Sequence, residues 1–131
     1  MRIEEVRSHL RRRLRQRPEF IAVSAQTGRG LDRLLDTVTE LFDRYITRIS
    51  TVELNKALED LTRKRQPPTK GGKRLNMLYG AQTSQRPPRF RIFVNDPTLV
   101  TRDYGYWVEN ELRERFNLEG VPVSIAFVRR S

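Results

Sequence analysis

Apolar residues recur at Ile3, Val6, Leu10 and Leu14, spacings of three and four that predict one oily stripe on a helix whose other faces are mostly arginine. Pro18 ends that helix, and the run Phe20-Ile21-Ala22-Val23 predicts a short buried strand. Ser24-Ala25-Gln26-Thr27-Gly28-Arg29-Gly30 follows as a tight turn into a second helix. There Leu31, Leu34, Leu35, Val38, Leu41, Phe42, Tyr45, Ile46 and Ile49 keep a 3.6-residue period. Ser50-Thr51-Val52-Glu53 matches a capping box, in which the serine oxygen accepts from a free helical amide, so a third helix begins there with Leu54, Ala57, Leu58 and Leu61 inward. Gln66-Pro67-Pro68 ends it, because neither proline can donate the next helical hydrogen bond, and Thr69 to Lys73 form a basic, glycine-containing loop.

Beyond that loop the period changes to two. Leu75 to Ala81 nearly alternates, and Arg89 to Val94 places Phe90, Ile92 and Val94 on one face, so both read as strands. The connection Ser84-Gln85-Arg86-Pro87-Pro88 is too long for a two-residue hairpin turn. After the turn Asn95-Asp96-Pro97, the residues Tyr104, Trp107, Val108, Leu112 and Phe116 lie at helical intervals. Val123, Ile125 and Phe127 then alternate in a last strand. From Ser50 the order is helix, strand, strand, helix, strand, an α/β (α+β) sandwich with helices on one face of a small sheet. Trp107, Tyr79 and Phe90 fall at positions expected to pack in or against the core.

Charge changes this picture. The 131 residues carry 26 Lys and Arg against 16 Asp and Glu, a net charge of +10 that favours nucleic acid or an anionic surface as partner. The excess is concentrated. Between Thr62 and Asp96 there are nine basic side chains (Arg63, Lys64, Arg65, Lys70, Lys73, Arg74, Arg86, Arg89, Arg91) and no acidic one. Lys70, Lys73 and Arg74 in the first loop and Arg86, Arg89 and Arg91 around the second are the candidate phosphate contacts, able to release counterions without reading sequence.

Other chemistries find little material. There is no cysteine, which fits a reducing cytoplasm and removes thiolate metal sites and nucleophiles. The one histidine, His9, sits among arginines as a solvated helix residue and cannot build a four-ligand zinc site, so no metal is expected. No GxxxxGK[ST] phosphate loop occurs; Gly71-Gly72-Lys73 has the wrong spacing and lacks the following hydroxyl. Asp32 and Asp36, and Glu109, Glu111 and Glu114, read as solvated helix faces with no partner base or nucleophile, so no catalytic residue is nominated. No apolar run reaches the roughly 18 residues of a membrane span, and the basic start lacks a following h-region. A soluble, cytoplasmic chain with no membrane partner is expected.

The order and spacing of several short motifs resemble the C-terminal portion of a tandem-GTPase ribosome-assembly family, Der, also called EngA. They are Ser24-Ala25-Gln26-Thr27-Gly28, Gln66-Pro67-Pro68, Gly72-Lys73-Arg74, Tyr79 with Gln82, Pro87-Pro88, Phe93-Val94-Asn95-Asp96-Pro97, Glu109-Asn110, Leu112-Arg113, Glu119-Gly120 and Pro122. The resemblance implies that residues 1–49 are the helix-strand-helix tail of the second GTPase domain and residues 50–131 a KH-like domain. It also implies that Ser24, Ala25 and Gln26 are the remnant of that domain's fifth guanine-recognition motif. GTP and magnesium would belong to the parent protein, and this chain alone is expected neither to bind nor to hydrolyse GTP. Ribosomal RNA, the large ribosomal subunit and the parent's own GTPase domains are the implied partners.

One departure matters. A KH module clamps the nucleic-acid backbone with a GxxG loop, and no such pair of glycines occurs here; three residues after Gly105 stands Val108. The implied function is therefore a non-catalytic fragment whose basic KH-like domain binds ribosomal RNA by charge during GTP-dependent assembly. The alternative is a protein-interaction module that docks on neighbouring GTPase domains and regulates their nucleotide state. The strand at Phe20–Val23, lacking partners in this chain, further predicts looser order or self-association of the first 48 or so residues.

Overall fold

The computed structural model describes residues 2–14 and 17–130; Met1, Arg15, Gln16 and Ser131 lie outside it. Three helices lead the chain, α1 (Ile3–Arg13), α2 (Leu31–Tyr45) and α3 (Thr51–Lys64). A two-residue-per-strand hairpin, β1 (Thr69–Lys70) and β2 (Lys73–Arg74), precedes β3 (Met77–Ser84) and β4 (Arg89–Val94). A single 3-10 turn (Pro97–Leu99), α4 (Arg102–Arg115) and β5 (Ser124–Arg129) complete it. The sheet order is β3-β4-β5, with β3 antiparallel and β5 parallel to the central β4.

The helix-strand-strand-helix-strand order expected from Ser50 onward is present. Ser50 caps α3, its hydroxyl oxygen accepting from the Glu53 N–H at 3.2 Å. Thr101 caps α4 likewise through the Tyr104 N–H. Leu54, Ala57, Leu58 and Leu61 of α3 and Tyr104, Val108 and Leu112 of α4 bury against Phe90, Ile92 and Val94 of β4. Closeness of helix to sheet depends on Gly80, where an added Cβ would sit 3.1 Å from Leu58 Cδ1 and 3.3 Å from Leu54 Cδ2.

The outer edge of β3 is covered from within the chain. Asn55 on α3 donates through Nδ2 to the Gly80 carbonyl (3.1 Å) and accepts at Oδ1 from the Gly80 N–H (2.8 Å). Gln82 does the same for the segment entering α3, accepting from the Ile49 N–H (2.7 Å) and donating to the Thr47 carbonyl (2.8 Å). The Asn55 amide thus takes the ladder position a further strand would fill, and the Gln82 amide satisfies the backbone of the segment entering α3.

Four expectations need correction. Phe20–Val23 forms no strand: with no strand beside it among the described residues to complete a ladder, it passes beside α1, where the Arg7 guanidinium donates to the Phe20 carbonyl and lies 6.0 Å from its ring centroid. The second helix stops at Tyr45 rather than Ile49, because Gln82 and Gln85 bind the backbone of residues 46–49 and draw Ile49 into the core. The loop at 69–73 is a tight hairpin whose turn is Gly71-Gly72, both with positive φ (59° and 78°), the geometry a two-residue turn demands. Glu109 is not solvated; it is buried on α4 against Arg113, with 3.0 Å between the charges.

The N-terminal elements are joined to the rest through polar contacts at the foot of α2. Arg44 donates to the Glu119 carbonyl (2.8 Å), and the Tyr45 hydroxyl donates to the Arg86 carbonyl (3.0 Å). Gly120 allows close approach: its φ is 85°, and a Cβ there would lie 2.6 Å from Leu41 Cδ2. The apolar stripe of α2 otherwise faces outward, with Leu35 64%, Val38 55% and Phe42 55% exposed.

Candidate nucleic-acid interface

The nine cations of the acid-free stretch divide into two groups. Arg63, Lys64 and Arg65, on the last turn of α3 and at its C-cap, are neutralised by acids of α3 and α4: Arg63 pairs with Asp60, Lys64 with Glu111 at 2.9 Å, and Arg65 with Asp103. Arg65 also lies over Trp107 and Tyr104, 5.4 and 5.7 Å from their ring centroids, which agrees with a packing role for Trp107. No ion pair among the described residues engages Lys70, Lys73, Arg74, Arg86, Arg89 or Arg91, and all six are exposed.

The hairpin concentrates three of them. Gly71-Gly72 reverses the chain so that Lys70 and Lys73 stand directly opposite each other and Thr69 opposite Arg74. Arg74 Nε donates to Thr69 Oγ1 at 3.2 Å, which orients the guanidinium along the ladder. Like charges directly opposite one another destabilise a two-strand ladder. Asp96 lies in the field of this hairpin: the Thr98 hydroxyl and N–H, and secondarily the charges of Arg129 and Lys73, hold its carboxyl below the usual aspartate range. Beside the hairpin a cleft of about 710 Å³ is lined by Thr62, Arg63, Gln66, Arg74, Asn76 and Asn95 among others.

Arg86, Arg89 and Arg91 lie toward the other end of the sheet. Arg86 adopts positive φ (65°), its N–H donating to the Tyr45 carbonyl at 3.1 Å, so the β3–β4 loop is pinned to the end of α2. Arg89 and Arg91 project from β4 on the face opposite the helices. That face is the physical link between the hairpin and the loop. Along it lie Tyr79 and Ala81 of β3, Arg89, Arg91 and Phe93 of β4, and Ser124, Ala126 and Val128 of β5.

Tyr79 was expected in the core and is instead 44% exposed on this open face. A register irregularity between Met77 and Tyr79 is the reason: one extra residue, Leu78, breaks the alternation, so Met77 and Gly80 point to the helices and Tyr79 points away. The bulge brings Tyr79 opposite Phe93, with ring centroids 4.6 Å apart and planes 20° from parallel. Its trace in the sequence is the apolar run Met77-Leu78-Tyr79 followed by Gly80, which breaks strict alternation.

Ser24, Ala25 and Gln26 lie elsewhere, in the turn before α2. The Ser24 hydroxyl accepts from the Thr27 N–H (3.3 Å), and its backbone bonds to Arg29 and Gly28. The serine therefore shapes the turn, while Ala25 and Gln26 are exposed at its tip. The cations beside this turn are Arg29 and Arg33, which line a shallow cleft with Ser24. Among the described residues no cluster of His, Cys, Asp or Glu is suited to a metal ion, and no helix is long and apolar enough to cross a membrane.

A three-stranded mixed sheet with two helices on one face, in the order helix-strand-strand-helix-strand, defines a KH-like α/β domain. The chain belongs to the family described as the KH-domain-like C-terminal domain of EngA bacterial GTPase enzymes, which matches residues 48–128. Among similar proteins is GTPase Der of Desulforudis audaxviator (strain MP104C), 43% identical over 110 residues, covering 84% of this chain and 25% of the relative. GTPase Der of Natranaerobius thermophilus is 37% identical over 103 residues, covering 79% of this chain and 23% of the relative. GTPase Der of Clostridium perfringens (strain SM101) is 36% identical over 112 residues, covering 86% and 26%. The chain thus spans about a quarter of the length of these relatives, near 23–26%.

Proposed function

We propose that this chain is the RNA-contacting, non-catalytic C-terminal part of a ribosome-assembly GTPase, and that its KH-like domain holds ribosomal RNA of the large subunit by charge. The observation that carries the reading is the set of six exposed cations left without acidic partners, while three neighbours in the same acid-free stretch are neutralised. Loop and strand cations of this kind bind phosphates with little base reading. GTP phosphates and magnesium would be held by the rest of such a protein, with Ser24, Ala25 and Gln26 contributing at most a backbone edge to the guanine. Binding is tested with a ribosomal RNA fragment over a salt series. Replacing Lys73 and Arg74 by alanine is expected to weaken binding for all sequences and to flatten the salt slope by roughly one per lost phosphate contact. An unchanged slope removes the proposal.

A second reading has its own support. The outward stripe of Leu35, Val38 and Phe42 on α2 is an apolar surface of the kind that docks protein. The partner we assign to it is a GTPase domain of the parent protein. Adding purified GTPase domains in trans is expected to shift the amide signals of α2 and to leave those of the hairpin unmoved. Shifts confined to the hairpin would reverse the assignment.

A further inference from the structure

We propose that the open face of the β3-β4-β5 sheet is a stacking platform for unpaired nucleotides, with Tyr79 supplying the ring and Arg91 and Arg89 the phosphate contacts. The inference rests on the RNA reading above and goes beyond it, since charge alone does not distinguish paired from unpaired strands. Three observations carry it.

The first is the ring. Tyr79 stacks on Phe93, its partner across the β3-β4 ladder, and remains 44% exposed, so Phe93 braces the ring from the side while the residue stays open to solvent. A large aromatic placed outward on a sheet, braced in one orientation, loses little entropy when a base stacks on it. The second is the spacing of charge. Arg89, Arg91 and Phe93 alternate along β4 in a row about 13 Å long, at ~3.3 Å per residue. Arg91 is flanked across the ladders by Ala81 and Ala126, and Arg89 by Ser84 and Ser124, all too small to crowd a guanidinium. The third is the absence of competing acid: none of the described residues that the ladders place on this face is Asp or Glu.

These features select the occupant. A phosphate backbone satisfies the two arginines, and the free ring requires a base whose flat face is exposed, which a duplex does not offer. A protein partner would have to bring an acidic, flat surface to the same row. The domain would therefore bind unpaired RNA on its sheet, in place of the helix-flanked backbone clamp whose glycines it lacks.

The test uses the full chain with a fluorescein-labelled 12-nucleotide oligouridine and a 12-base-pair RNA duplex, read by anisotropy. Tyr79→Leu keeps the apolar bulk and removes the π-face. It is expected to weaken single-strand binding by about 5- to 150-fold at fixed salt, the equivalent of one lost base stack, with duplex binding and the salt slope unchanged. Arg91→Gln is expected to lower the single-strand slope by about one. In parallel, 5-iodouridine in the same oligomer should photo-crosslink wild-type protein at Tyr79, a readout independent of how the variant folds. Crosslinks confined to the hairpin, or a folded Tyr79→Leu chain with wild-type affinity, would overturn the platform while leaving the charge-based RNA reading intact if Lys73→Ala still weakens binding. Failure of wild-type chain to bind either oligomer at low salt would overturn both. Saturable binding of an acidic protein surface in preference to oligouridine would overturn the choice of occupant.

Discussion

Lys70 and Lys73 face each other directly across the β1-β2 ladder, two like charges on a hairpin only two residues deep. Their mutual repulsion is tolerable where a polyanion is bound, so stability and binding should move in opposite directions. Lys73→Thr is expected to stabilise the hairpin by about 0.2–1 kcal/mol while lowering affinity for ribosomal RNA and reducing the salt slope by about one. Urea unfolding and a salt-series titration on the same variant check both halves. Loss of stability together with loss of binding would mean that the lysines serve the fold.

Asn55 closes the outer edge of β3 by pairing with both the N–H and the C=O of Gly80. Removing its amide leaves two half-buried backbone groups with no ladder partner. Asn55→Ala is therefore expected to destabilise the chain by about 1–3 kcal/mol, measured as a shift in urea midpoint at constant slope. A change within a few tenths of a kcal/mol would show that water replaces the amide fully.

Gly80 lets α3 approach the sheet so closely that a methyl group must displace Leu58 or Leu54. Gly80→Val is expected to cost about 1–3 kcal/mol through overpacking, and pairing it with Leu58→Ala should recover part of that loss. A double variant no better than the sum of its parts would place the strain elsewhere.

Acid should weaken this domain in part through its paired aspartates. The Arg115 hydrogen bond, followed by the charges of Arg115 and Arg63, holds the Asp60 carboxyl below its ordinary range, and Thr98 and Arg129 do the same for Asp96. Because the folded values lie below the unfolded ones, their contribution is complete above the unfolded value of about 4 and fades as pH falls through the folded values. Stability should be flat near neutrality and decline below about pH 4. Asp60→Asn should shallow that decline, and an unaltered acid limb would rule out the pair as its source.

Among the described residues most of the apolar stripe of α2 has no cover, with Leu35 and Val38 more than half exposed. The isolated chain is expected to self-associate as concentration rises, and Val38→Lys with Phe42→Glu should keep it monomeric in sedimentation velocity. A wild-type chain that stays monomeric throughout would dismiss this patch as an association surface.

Much of the architecture was written in local chemistry. The Ser50 cap, the prolines after α3, the alternation of Phe90, Ile92 and Val94 and the helical spacing of Tyr104, Val108 and Leu112 each depend on neighbours a few residues away, so their periods and caps declare them. Length and charge likewise belong to the string alone, and they pointed to a polyanion before any geometry did. Pairing partners do not. Phe20–Val23 has strand composition and no strand beside it, and Glu109 looks solvated until Arg113 is buried against it.

The local sequence could therefore specify which elements form and that the 62–96 stretch is cationic, because propensity, capping and net charge act over a turn or less. Only the folded arrangement decided which of those cations meet acids from α4 and which are left open, since that depends on packing two helices far apart in the chain. It alone decided, too, that Tyr79 faces outward on Phe93, because one extra residue in a ladder reverses every side chain beyond it.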